Sequence, residues 1–305
     1  MKTMLIINPA SSRGRTIDNW RKAETDFVRN LSCLEVAFTE RPGHAEEIAR
    51  TALQSGFQWI FSMGGDGTLS EVVNGFFHKG APVNPDAALS VITSGTGGDF
   101  RRTAEMPAGA KACLRHVLNA GVRKIDAGHI SFTGHDGEQK SRYFINIASF
   151  GMSGEVDRRV NRARSGRLGP GGAFVIAGAS AFLSYRNKPV SIEVDGNLIE
   201  TRTRLALVCN GKYAGGGMKF APHALPDDGL FDVVIIGDLG ALRTAMNFPR
   251  IFRGTHLERK GATFLRGRQI IATSGEEVLL DIDGEDPGRL PARFTIIPQA
   301  INLRG

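Results

Sequence analysis

Short apolar runs alternate with helix-like stretches in the first third of the sequence, and this alternation constrains the fold more than any other feature. The runs predict buried strands at residues 4–7, 34–38, 59–62 and 89–92, and the stretches between them predict helices at residues 17–29, 45–54 and 69–77. Strands that alternate with helices form a parallel sheet with helices packed on its faces. This part of the chain is therefore predicted to be a doubly wound α/β domain.

The residues that follow these strands are the first candidates for a functional site. They are Asn8, Thr39, Gly64 and, after the fourth strand, Thr93 or Ser94. Ligands of open parallel sheets bind outside the carboxyl ends of the strands, where these residues would lie.

The pattern changes after a further predicted helix at residues 108–118. Predicted strands joined by hairpin turns follow at residues 123–131, 141–148, 190–194, 204–209, 230–236, 263–272 and 277–283. Helical stretches at residues 155–187 and 239–252 interrupt them. We therefore predict a second, mainly antiparallel domain, with the α/β domain at residues 1–127 and the β domain at residues 128–295.

The charge balance favours anionic ligands. The chain of 305 residues has 38 Lys and Arg against 31 Asp and Glu, a formal net charge of +7. Phosphates, nucleic acids and anionic lipid surfaces would all be attracted to such a chain. No helix-turn-helix or RRM pattern is present in the sequence, so we expect no nucleic-acid partner.

The cysteines and the apolar runs indicate a cytoplasmic protein. The three cysteines Cys33, Cys113 and Cys209 are far apart and without CxxC spacing, which predicts reduced thiols. The first residues hold only a short apolar run, below that of a signal peptide. Pro170 and several Gly and Ser residues interrupt the uncharged stretch 168–185, so we expect contact with a membrane to be peripheral.

The sharpest motif is Gly64-Gly65-Asp66-Gly67-Thr68, between a predicted strand and a predicted helix. Glycines let the backbone turn tightly and point N–H groups at an anion, and the helix N-terminus adds its positive dipole end. A glycine-rich turn with an Asp cap is the structural alternative, but a chance match in this chain is on the order of one in a thousand. The motif is neither a Walker A loop nor a GxGxxG fingerprint. It predicts a nucleotide-phosphate loop.

Residues 64–75 resemble the signature of the diacylglycerol kinase catalytic domain family, which includes bacterial lipid kinases, sphingosine kinases and ceramide kinases. Six more segments resemble that family in the same order: Asn8-Pro9-Ala10-Ser11-Ser12-Arg13-Gly14, residues 38–45, Gly95-Thr96-Gly97-Gly98-Asp99-Phe100, Ile125-Asp126-Ala127-Gly128, residues 221–230 and Asp283-Gly284-Glu285. Together they span nearly the whole chain. The chain is thereby identified as a member of this family.

The resemblance implies a lipid kinase with an N-terminal α/β domain of the NAD kinase and lipid kinase type and a C-terminal antiparallel β-sandwich. ATP would lie between the domains, and residues 296–305 would return to the first domain. The residues implied to contact the nucleotide are Asn8, Pro9, Ala10, Ser11, Ser12, Thr39, Gly64, Gly65, Asp66, Gly67, Thr68, Leu69, Ser70, Thr96 and Asp99.

The resemblance also implies magnesium. The implied ligands are the Leu225 carbonyl, the Asp228 carboxylate and the Leu230 carbonyl, and oxygen ligands of this kind suit a hard cation. Asp66, Asp99 and Asp126 match acidic residues that hold the catalytic metal through water molecules. Three converging carboxylates would repel one another without a cation.

Two acidic residues are candidates for the general base that accepts the proton of the acceptor hydroxyl. Asp283 and Glu285 flank one glycine after an apolar strand, so they would share a face if the strand continued. A plain Asp-Gly hairpin turn is the structural alternative. The resemblance favours Glu285 as the base, with Asp283 as the close competitor.

One residue departs from the family pattern, because Gly98 stands where the family usually has Asn. The lost side-chain amide would remove a hydrogen bond of about 0.5–1.5 kcal/mol and weaken nucleotide binding or shift its selectivity. The predicted activity is ATP- and Mg²⁺-dependent phosphorylation of a lipid hydroxyl, with diacylglycerol or a related lipid as the first candidate. The alternatives are an NAD kinase and a catalytically silent lipid- or nucleotide-binding regulator.

Five arginines lie in the predicted helical stretch, and they have two interpretations. Arg158, Arg159, Arg162, Arg164 and Arg167 either bind anionic headgroups at the membrane or form a solvated helix face. Phe174, Phe182, Leu183 and Tyr185 either line a lipid pocket or belong to the core. The predicted partners are thus a lipid substrate and an anionic membrane surface. A homodimer is compatible with the sequence, which leaves the oligomeric state open.

Overall fold

A computed structural model describes residues 1–94, 98–163, 180–181 and 184–305, and in residues 160–163 and 241–243 it describes the backbone alone. The first part of the chain forms an α/β layer. Its strands are β1 (Thr3–Ile7), β2 (Leu34–Phe38), β3 (Trp59–Gly64), the short pair β4 (Phe77–His78) and β5 (Ala81–Pro82), and β6 (Ala88–Thr93). Its helices are α1 (Arg15–Asn30), α2 (His44–Gln54), α3 (Asp66–Gly75), α4 (Asp99–Thr103) and α5 (Ala110–Asn119), and a 3-10 turn covers Ser11–Gly14.

The four long strands of this layer are parallel, in the order β2-β1-β3-β6. The chain therefore moves outward from β1 to β2 and then crosses back over β1 to reach β3. Because parallel crossovers are right-handed, α1 must cover one face of the sheet and α2 the other. The packing agrees, since α1 contacts α5 and α2 contacts α3. The crevice at such a reversal, between the carboxyl ends of β1 and β3, is where doubly wound sheets bind ligands.

The rest of the described chain is mainly antiparallel. Its strands are β7 (Val122–Gly134), β8 (Gln139–Phe144), β9 (Ile147–Gly151), β10 (Lys188–Val194), β11 (Asn197–Thr203), β12 (Leu205–Cys209), β13 (Phe231–Ile236), β14 (Ala262–Gly267), β15 (Gln269–Thr273), β16 (Leu280–Ile282) and β17 (Gly288–Arg304). Its helices are α6 (Met152–Ala163) and α7 (Ala241–Arg253), and a 3-10 turn covers His256–Glu258. Within the described residues, β14-β13-β12-β9-β16 form a separate sheet, which faces β7, β8, β10, β15 and β17.

Two main cores follow from this arrangement. One surrounds the parallel strands and includes Trp59, Phe27 and Phe61, and the other fills the space between the antiparallel sheets with residues such as Phe150, Phe231 and Phe294. The structure thus confirms an α/β layer joined to an antiparallel β-sandwich. None of the described helices combines the length and apolar character that crossing a membrane requires.

Strands β7 and β17 connect the two parts. They pair along most of their length, and Asn302 and Leu303 of β17 also pair in parallel with Ala88 and Leu89 of β6. The predicted boundary at residues 127 and 128 falls inside β7. The exact division into domains stays a prediction.

Two predicted strands are each broken in two. The predicted strand 141–148 is interrupted at Ile145 and Asn146, and the predicted strand 263–272 is interrupted at Arg268. Both breaks are places where the chain passes from one sheet to the other. At the second break, the Arg268 N–H donates to the Asp195 carboxylate instead of to a strand.

Other element limits differ by less. Helix α3 begins three residues earlier than predicted, and only β16 forms within the predicted strand 277–283. Strands β11 and β17 were not predicted. Of the predicted helical stretch 155–187, the structure describes α6 and a few residues after it, and residues 164–179 and 182–183 lie outside the described part.

Candidate active site

The ends of three parallel strands meet at one edge of the first sheet. The Asn8 N–H, just after β1, donates to the Met63 carbonyl of β3 at 3.0 Å, and the Ser94 N–H, just after β6, donates to the Gly64 carbonyl at 3.2 Å. The loops that follow these strands are therefore held side by side, as the strand pattern predicts.

The loop after β3 packs tightly against the start of α3. An added Cβ at Gly64 would lie 2.4 Å from Thr68 Oγ1, so a side chain at residue 64 would displace Thr68. Asn8 Nδ2 donates to that same Oγ1 at 3.0 Å. The first backbone N–H groups of α3 have no partner within the helix, and such groups bind phosphate. The geometry therefore fits a phosphate-binding loop supported by Asn8.

The other residues predicted to contact nucleotide surround this loop. Asn8 Oδ1 accepts the Ala10 N–H at 3.0 Å, and the Ser11 hydroxyl donates to the Asn8 carbonyl at 2.9 Å. The side chains of Leu69 and Ser70 are buried on α3. Pro9, Ser12, Thr39, Gly65 and Gly67 lie at the same edge of the sheet, whereas Thr96 lies outside the described residues.

Asp66 holds the start of α4. Its two carboxylate oxygens accept the backbone N–H groups of Gly98, at 2.9 Å, and Asp99, at 3.1 Å. Gly98 has a φ of 77°, a left-handed conformation that glycine adopts without strain. The family difference at residue 98 therefore affects the backbone turn as well as a side-chain amide.

Asp99 joins the two parts of the molecule. One of its oxygens pairs with Arg102 at 2.7 Å, and the other accepts the Gly216 N–H at 2.8 Å. Burial raises the pKa of this carboxyl, and the carboxylate of Asp66 adds to the effect. Asp66 and Asp99 thus form a chain of contacts from the phosphate loop to the loop at residues 215–217.

Asp283 lies across the cleft from these two carboxylates. Strand β16 ends at Ile282, and Asp283 and Gly284 form a tight turn with φ values of 50° and 89°. Asp283 Oδ1 accepts the Ile147 N–H at 3.2 Å. Burial, with smaller contributions from the carboxylates of Asp66 and Asp281, raises the pKa of Asp283 to about 8.

Glu285 is held differently. Its carboxylate pairs with Arg142 at 2.6 Å, and its other oxygen lies 3.8 Å from the position of an added Cβ at Gly67. Because the turn reverses the chain at Gly284, Glu285 and Asp283 are not two residues of one continuing strand. The structure therefore places Glu285 beside the phosphate loop and Asp283 in the cleft.

A cavity of about 760 Å³ extends from this cleft into the second part of the molecule. Asp66, Asp99 and Asp283 line one end. The rest of the lining is largely apolar, with Leu207, Phe220, Ile236, Phe248 and Ile251 among its residues. A molecule bound here would meet carboxylates at one end and, beyond them, mainly hydrocarbon with a few basic side chains such as Arg259 and Lys260.

Asp281 is a fourth carboxylate of this cavity, and the sequence analysis missed it. It accepts hydrogen bonds from the Ser149 hydroxyl at 3.1 Å and the Gly284 N–H at 2.9 Å, and it hydrogen-bonds to Asp157 of α6. Burial raises its pKa to about 6. Asp281 therefore joins β16 to β9 and α6 beside Asp283.

Asp126 lies in a different place, below the Asp-Gly loop. Its side chain is fully buried, and its two oxygens accept the backbone N–H groups of Gln299, at 2.8 Å, and Gly229, at 2.7 Å. Burial raises its pKa. The Asp126 carboxylate thus joins β7, the loop before β13 and β17, and it does not line the cavity.

The predicted magnesium ligand Asp228 also has protein partners. Asp228 Oδ1 accepts the Leu230 N–H at 3.1 Å, and Oδ2 pairs with Arg266, which also contacts Asp232. Leu225 is exposed on the same loop. Among the described residues, no three Asp, Glu, His or Cys side chains form a cluster that could bind a metal directly.

Two residues of the predicted signature bind backbone. Glu71 accepts the N–H groups of Gly43, at 2.9 Å, and Ala45, at 3.0 Å, at the start of α2. Asn74 exchanges hydrogen bonds with the backbone of Tyr143 on β8, at 2.9 Å each. Spacing on a helix gives no signal for such distant partners.

The basic stretch is partly neutralised. Arg158 and Arg159 both pair with Glu155, at 2.5 and 2.7 Å, and Arg158 also contacts Glu277. The described parts exclude Arg164, Arg167, Phe174, Phe182 and Leu183, and also the side chain of Arg162. Of the four apolar and aromatic residues predicted to line a lipid pocket or belong to the core, the structure describes Tyr185, and burial raises the pKa of its hydroxyl to about 12.

Comparison with known proteins gives matches along nearly the whole chain. The family described as diacylglycerol kinase catalytic domain matches residues 2–130, and the family described as YegS C-terminal NAD kinase beta sandwich-like domain matches residues 146–305. The diacylglycerol kinase of Bacillus subtilis (strain 168) is 30% identical over 303 residues, which cover 99% of this chain and 95% of that protein.

Solved structures match the fold. A protein from Bacillus anthracis str. Sterne is 24% identical and has a TM-score of 0.80, with 99% of this chain and 94% of that chain covered. Yeast NADH kinase, solved with NADH, is 12% identical and has a TM-score of 0.56, with 99% of this chain and 82% of that chain covered. Both matches extend over the α/β layer and the β-sandwich.

Proposed function

Because this chain belongs to the diacylglycerol kinase family, we propose that it transfers the γ-phosphate of ATP to a hydroxyl group of a lipid, with diacylglycerol as the first candidate. The observation that carries this proposal is the cavity with carboxylates at one end and a largely apolar lining beyond them, to which Arg259 and Lys260 also contribute. A glycerolipid has this division, with a free hydroxyl at one end and acyl chains at the other.

The apolar lining also argues against the alternative of an NAD kinase. A dinucleotide is charged and polar along its length, and burying it against Leu207, Phe220 and Ile251 would leave its polar groups without partners. Yeast NADH kinase and this chain are 12% identical in sequence, so the similarity between them concerns the fold alone.

In the proposed mechanism, the loop at residues 64–68 and the N-terminus of α3 bind the phosphates of ATP. Their backbone N–H groups complement the phosphate charge. Asn8 keeps Thr68 in place through its 3.0 Å hydrogen bond. Asp66 holds the backbone of Gly98 and Asp99, so the start of α4 stays beside the phosphate loop.

Asp283 is the proposed general base. It lines the cavity, while Glu285 is paired with Arg142 outside the cavity lining. With a pKa of about 8, Asp283 accepts a proton from the lipid hydroxyl more readily than an ordinary carboxylate. The structure thus favours Asp283 over Glu285, which the family pattern had placed first, and the role of Glu285 becomes that of holding Arg142 beside the phosphate loop.

The acidic end of the cavity fits a magnesium ion shared with the nucleotide. The carboxylates of Asp66 and Asp281 raise the pKa of Asp283, which shows that these groups repel one another's charge. Mg²⁺ usually keeps several water molecules and binds one or two carboxylates together with substrate phosphates. Asp66 and Asp99 would hold it in this way, and the ion would neutralise charge on the transferring phosphate. The site predicted at Leu225, Asp228 and Leu230 is proposed as a second cation site, in which Mg²⁺ would have to compete with Arg266 for Asp228.

The test is a transfer assay with labelled ATP and Mg²⁺ against diacylglycerol, a sphingoid base, ceramide and NAD. The variants are Asp283→Asn, Glu285→Gln and, as a matched control, Asp136→Asn, which removes an exposed carboxylate of the β7–β8 turn. We expect lipid product, a loss of kcat of about 100-fold or more in Asp283→Asn, a loss below about tenfold in Glu285→Gln, and no change in the control.

Three results would contradict the proposal. Labelled product from NAD alone would show that the substrate is NAD and not a lipid. No product from any acceptor would support the alternative of a catalytically silent regulator. Equal activity of Asp283→Asn and the parent protein would remove Asp283 as the base.

A further inference from the structure

Helix α7 presents an apolar surface to the outside of the molecule. Met246 is 71% exposed, Phe252 50% and Phe248 42%. Ala245 and Pro249 are exposed as well, and the helical repeat places all five residues on one side of α7. We call these five residues the exposed α7 face. A helix on the surface of a globular protein normally turns polar side chains outward, so this face is expected to have a partner.

The opposite side of α7 lines the cavity. Thr244, Asn247 and Ile251 face it, and Thr244 and Ile251 are each only 9% exposed. Phe248 belongs to both surfaces, because it lines the cavity and is also exposed. Its ring contacts that of Phe252 edge to face, with centroids 5.7 Å apart. Apolar surface therefore continues from inside the cavity, across Phe248, to the exposed α7 face.

The surroundings of this face are basic. Residues 241–260 contain five Arg and Lys residues and a single acidic residue, Glu258. Arg253, Arg259 and Lys260 are exposed, and the last two also line the cavity. Apolar and aromatic side chains bordered by Arg and Lys are the composition of helices that lie in the interface of an anionic bilayer.

We propose that the exposed α7 face docks into the surface of an anionic lipid bilayer and that lipid reaches the cavity past Phe248. The route of the lipid rests on the proposed function, whereas the docking does not. A lipid that follows this route keeps its acyl chains in contact with apolar surface throughout, so its hydrocarbon is never exposed to water.

The experiment is co-sedimentation of the full chain with phosphatidylcholine vesicles, with and without phosphatidylglycerol. The test variant is Met246→Ser combined with Phe252→Ser, since neither residue lines the cavity. The matched control is Val28→Ser combined with Leu198→Ser, which removes apolar side chains that are 62% and 61% exposed on α1 and β11. Thermal unfolding checks that both variants fold.

We expect the parent protein to bind the vesicles that contain phosphatidylglycerol and to bind the neutral ones weakly. The α7 variant should lose about tenfold or more in its partition coefficient, because the two exposed side chains no longer enter the bilayer, and the control should keep its binding. Equal binding of the α7 variant and the parent, an equal loss in the control, or equal binding to neutral vesicles would each overturn the docking proposal. So would a variant that changes the oligomeric state in sedimentation velocity and leaves vesicle binding intact.

A second measurement separates docking from catalysis. Phosphorylation of diacylglycerol embedded in vesicles should fall in the α7 variant in proportion to binding, and phosphorylation of a short-chain diacylglycerol dissolved as monomers should stay unchanged. If no lipid is phosphorylated while only the α7 variant loses vesicle binding, the proposed function fails and the docking surface stands. An equal loss on the dissolved substrate would contradict the route past Phe248.

Discussion

Burial of Asp283 favours its protonated carboxyl, and this lowers the free energy of unfolding at neutral pH. Its carboxyl has a pKa of about 8 in the folded chain, whereas an Asp in an unfolded chain has a pKa of about 3.9. Between these values the folded state binds more protons than the unfolded state, so stability falls as the pH rises through this range. The same burial that makes Asp283 a suitable base thus destabilises the chain at neutral pH.

Replacement of this residue should therefore stabilise the protein while it abolishes activity. We expect Asp283→Asn to raise the unfolding midpoint by a few degrees at pH 8, and by progressively less as the pH falls, because well below the unfolded pKa of about 3.9 the parent carboxyl is neutral in both states. Thermal unfolding at a series of pH values measures this. An unchanged difference between the two proteins across the whole series would show that the charge of Asp283 is not the cause.

A second prediction at the scale of one residue concerns the replacement of Gly98. Its φ of 77° strains most side chains, and an added Cβ would lie 2.9 Å from Thr93 Cγ2. We expect Gly98→Ala to lower the free energy of unfolding by about 1–2 kcal/mol. Gly98→Asn should cost less, since Asn tolerates the left-handed conformation best. Urea denaturation of the two variants decides the order, and a larger loss in Asn than in Ala would make the contact with Thr93 the dominant effect.

At the scale of elements, Asp126 connects three segments that are distant in sequence. Its two oxygens accept N–H groups from the loop before β13 and from β17, and its own N–H donates to the Pro226 carbonyl at 2.6 Å. The Asp126 carboxylate is fully buried, so it is costly to leave without these partners. The catalytic cleft depends on this connection because β17 follows the turn that holds Asp283.

Removal of the Asp126 side chain should be strongly destabilising. We expect Asp126→Ala to cost about 3 kcal/mol or more, because the buried Gly229 N–H and the part-buried Gln299 N–H both lose their acceptor. Asp126→Asn should cost less, since one acceptor oxygen remains. Asp136→Ala, on an exposed turn, is the control and should change the free energy of unfolding by about 0.5 kcal/mol at most. Urea denaturation compares the three, and an equally mild effect of Asp126→Ala would show that water satisfies the two N–H groups.

The elements of the first part could be predicted from sequence because their signals are local. Each parallel strand is a short apolar run with a turn residue at its end, and Asn8, Gly64 and Ser94 meet where the pattern places them. The signature residues also include the acidic residues Asp66 and Asp99, which the structure brings to one cavity. Their exact partners, such as the N–H groups that Asp66 accepts, required the fold.

The strand breaks and the side-chain partners depend on contacts between residues far apart in sequence, which the spacing of residues along the chain does not predict. The segments 141–148 and 263–272 each have the pattern of one continuous strand, yet each is broken where the chain changes sheets. The pair of Glu285 and Arg142 joins residues 143 positions apart, and the hydrogen bond of Asp281 to Asp157 joins β16 to α6. Such partners decide which carboxylate faces the cavity, so the choice between Asp283 and Glu285 could not be made from the sequence.

At the scale of the whole molecule, the proposed nucleotide site uses both parts of the chain. The phosphate loop belongs to the α/β layer, whereas Asp283 belongs to the β-sandwich, and Asp99 contacts the loop at Gly216. A ligand that binds between them stabilises the folded state as a unit, by about 2.7 kcal/mol at a concentration of 100 times Kd.

We therefore expect ATP and Mg²⁺ together to raise the unfolding midpoint more than ATP alone. Without a cation, the phosphates of ATP face the carboxylates of Asp66 and Asp99 and are repelled. Thermal unfolding with ATP, with Mg²⁺, with both, and with both plus EDTA measures the difference. Equal shifts with and without Mg²⁺ would show that the acidic end of the cavity does not hold a cation with the nucleotide.

The pairing of β17 with β6 also orders the events of biosynthesis. Residues 302 and 303 complete the sheet that begins at residue 3, and the Arg304 carbonyl accepts the Ser90 hydroxyl at 2.7 Å. When residues 1–127 have been translated, the segment at residues 302 and 303 that pairs with β6 has therefore not yet been made. In the nascent α/β layer, this edge of β6 therefore has no β17 partner until translation has passed residue 303.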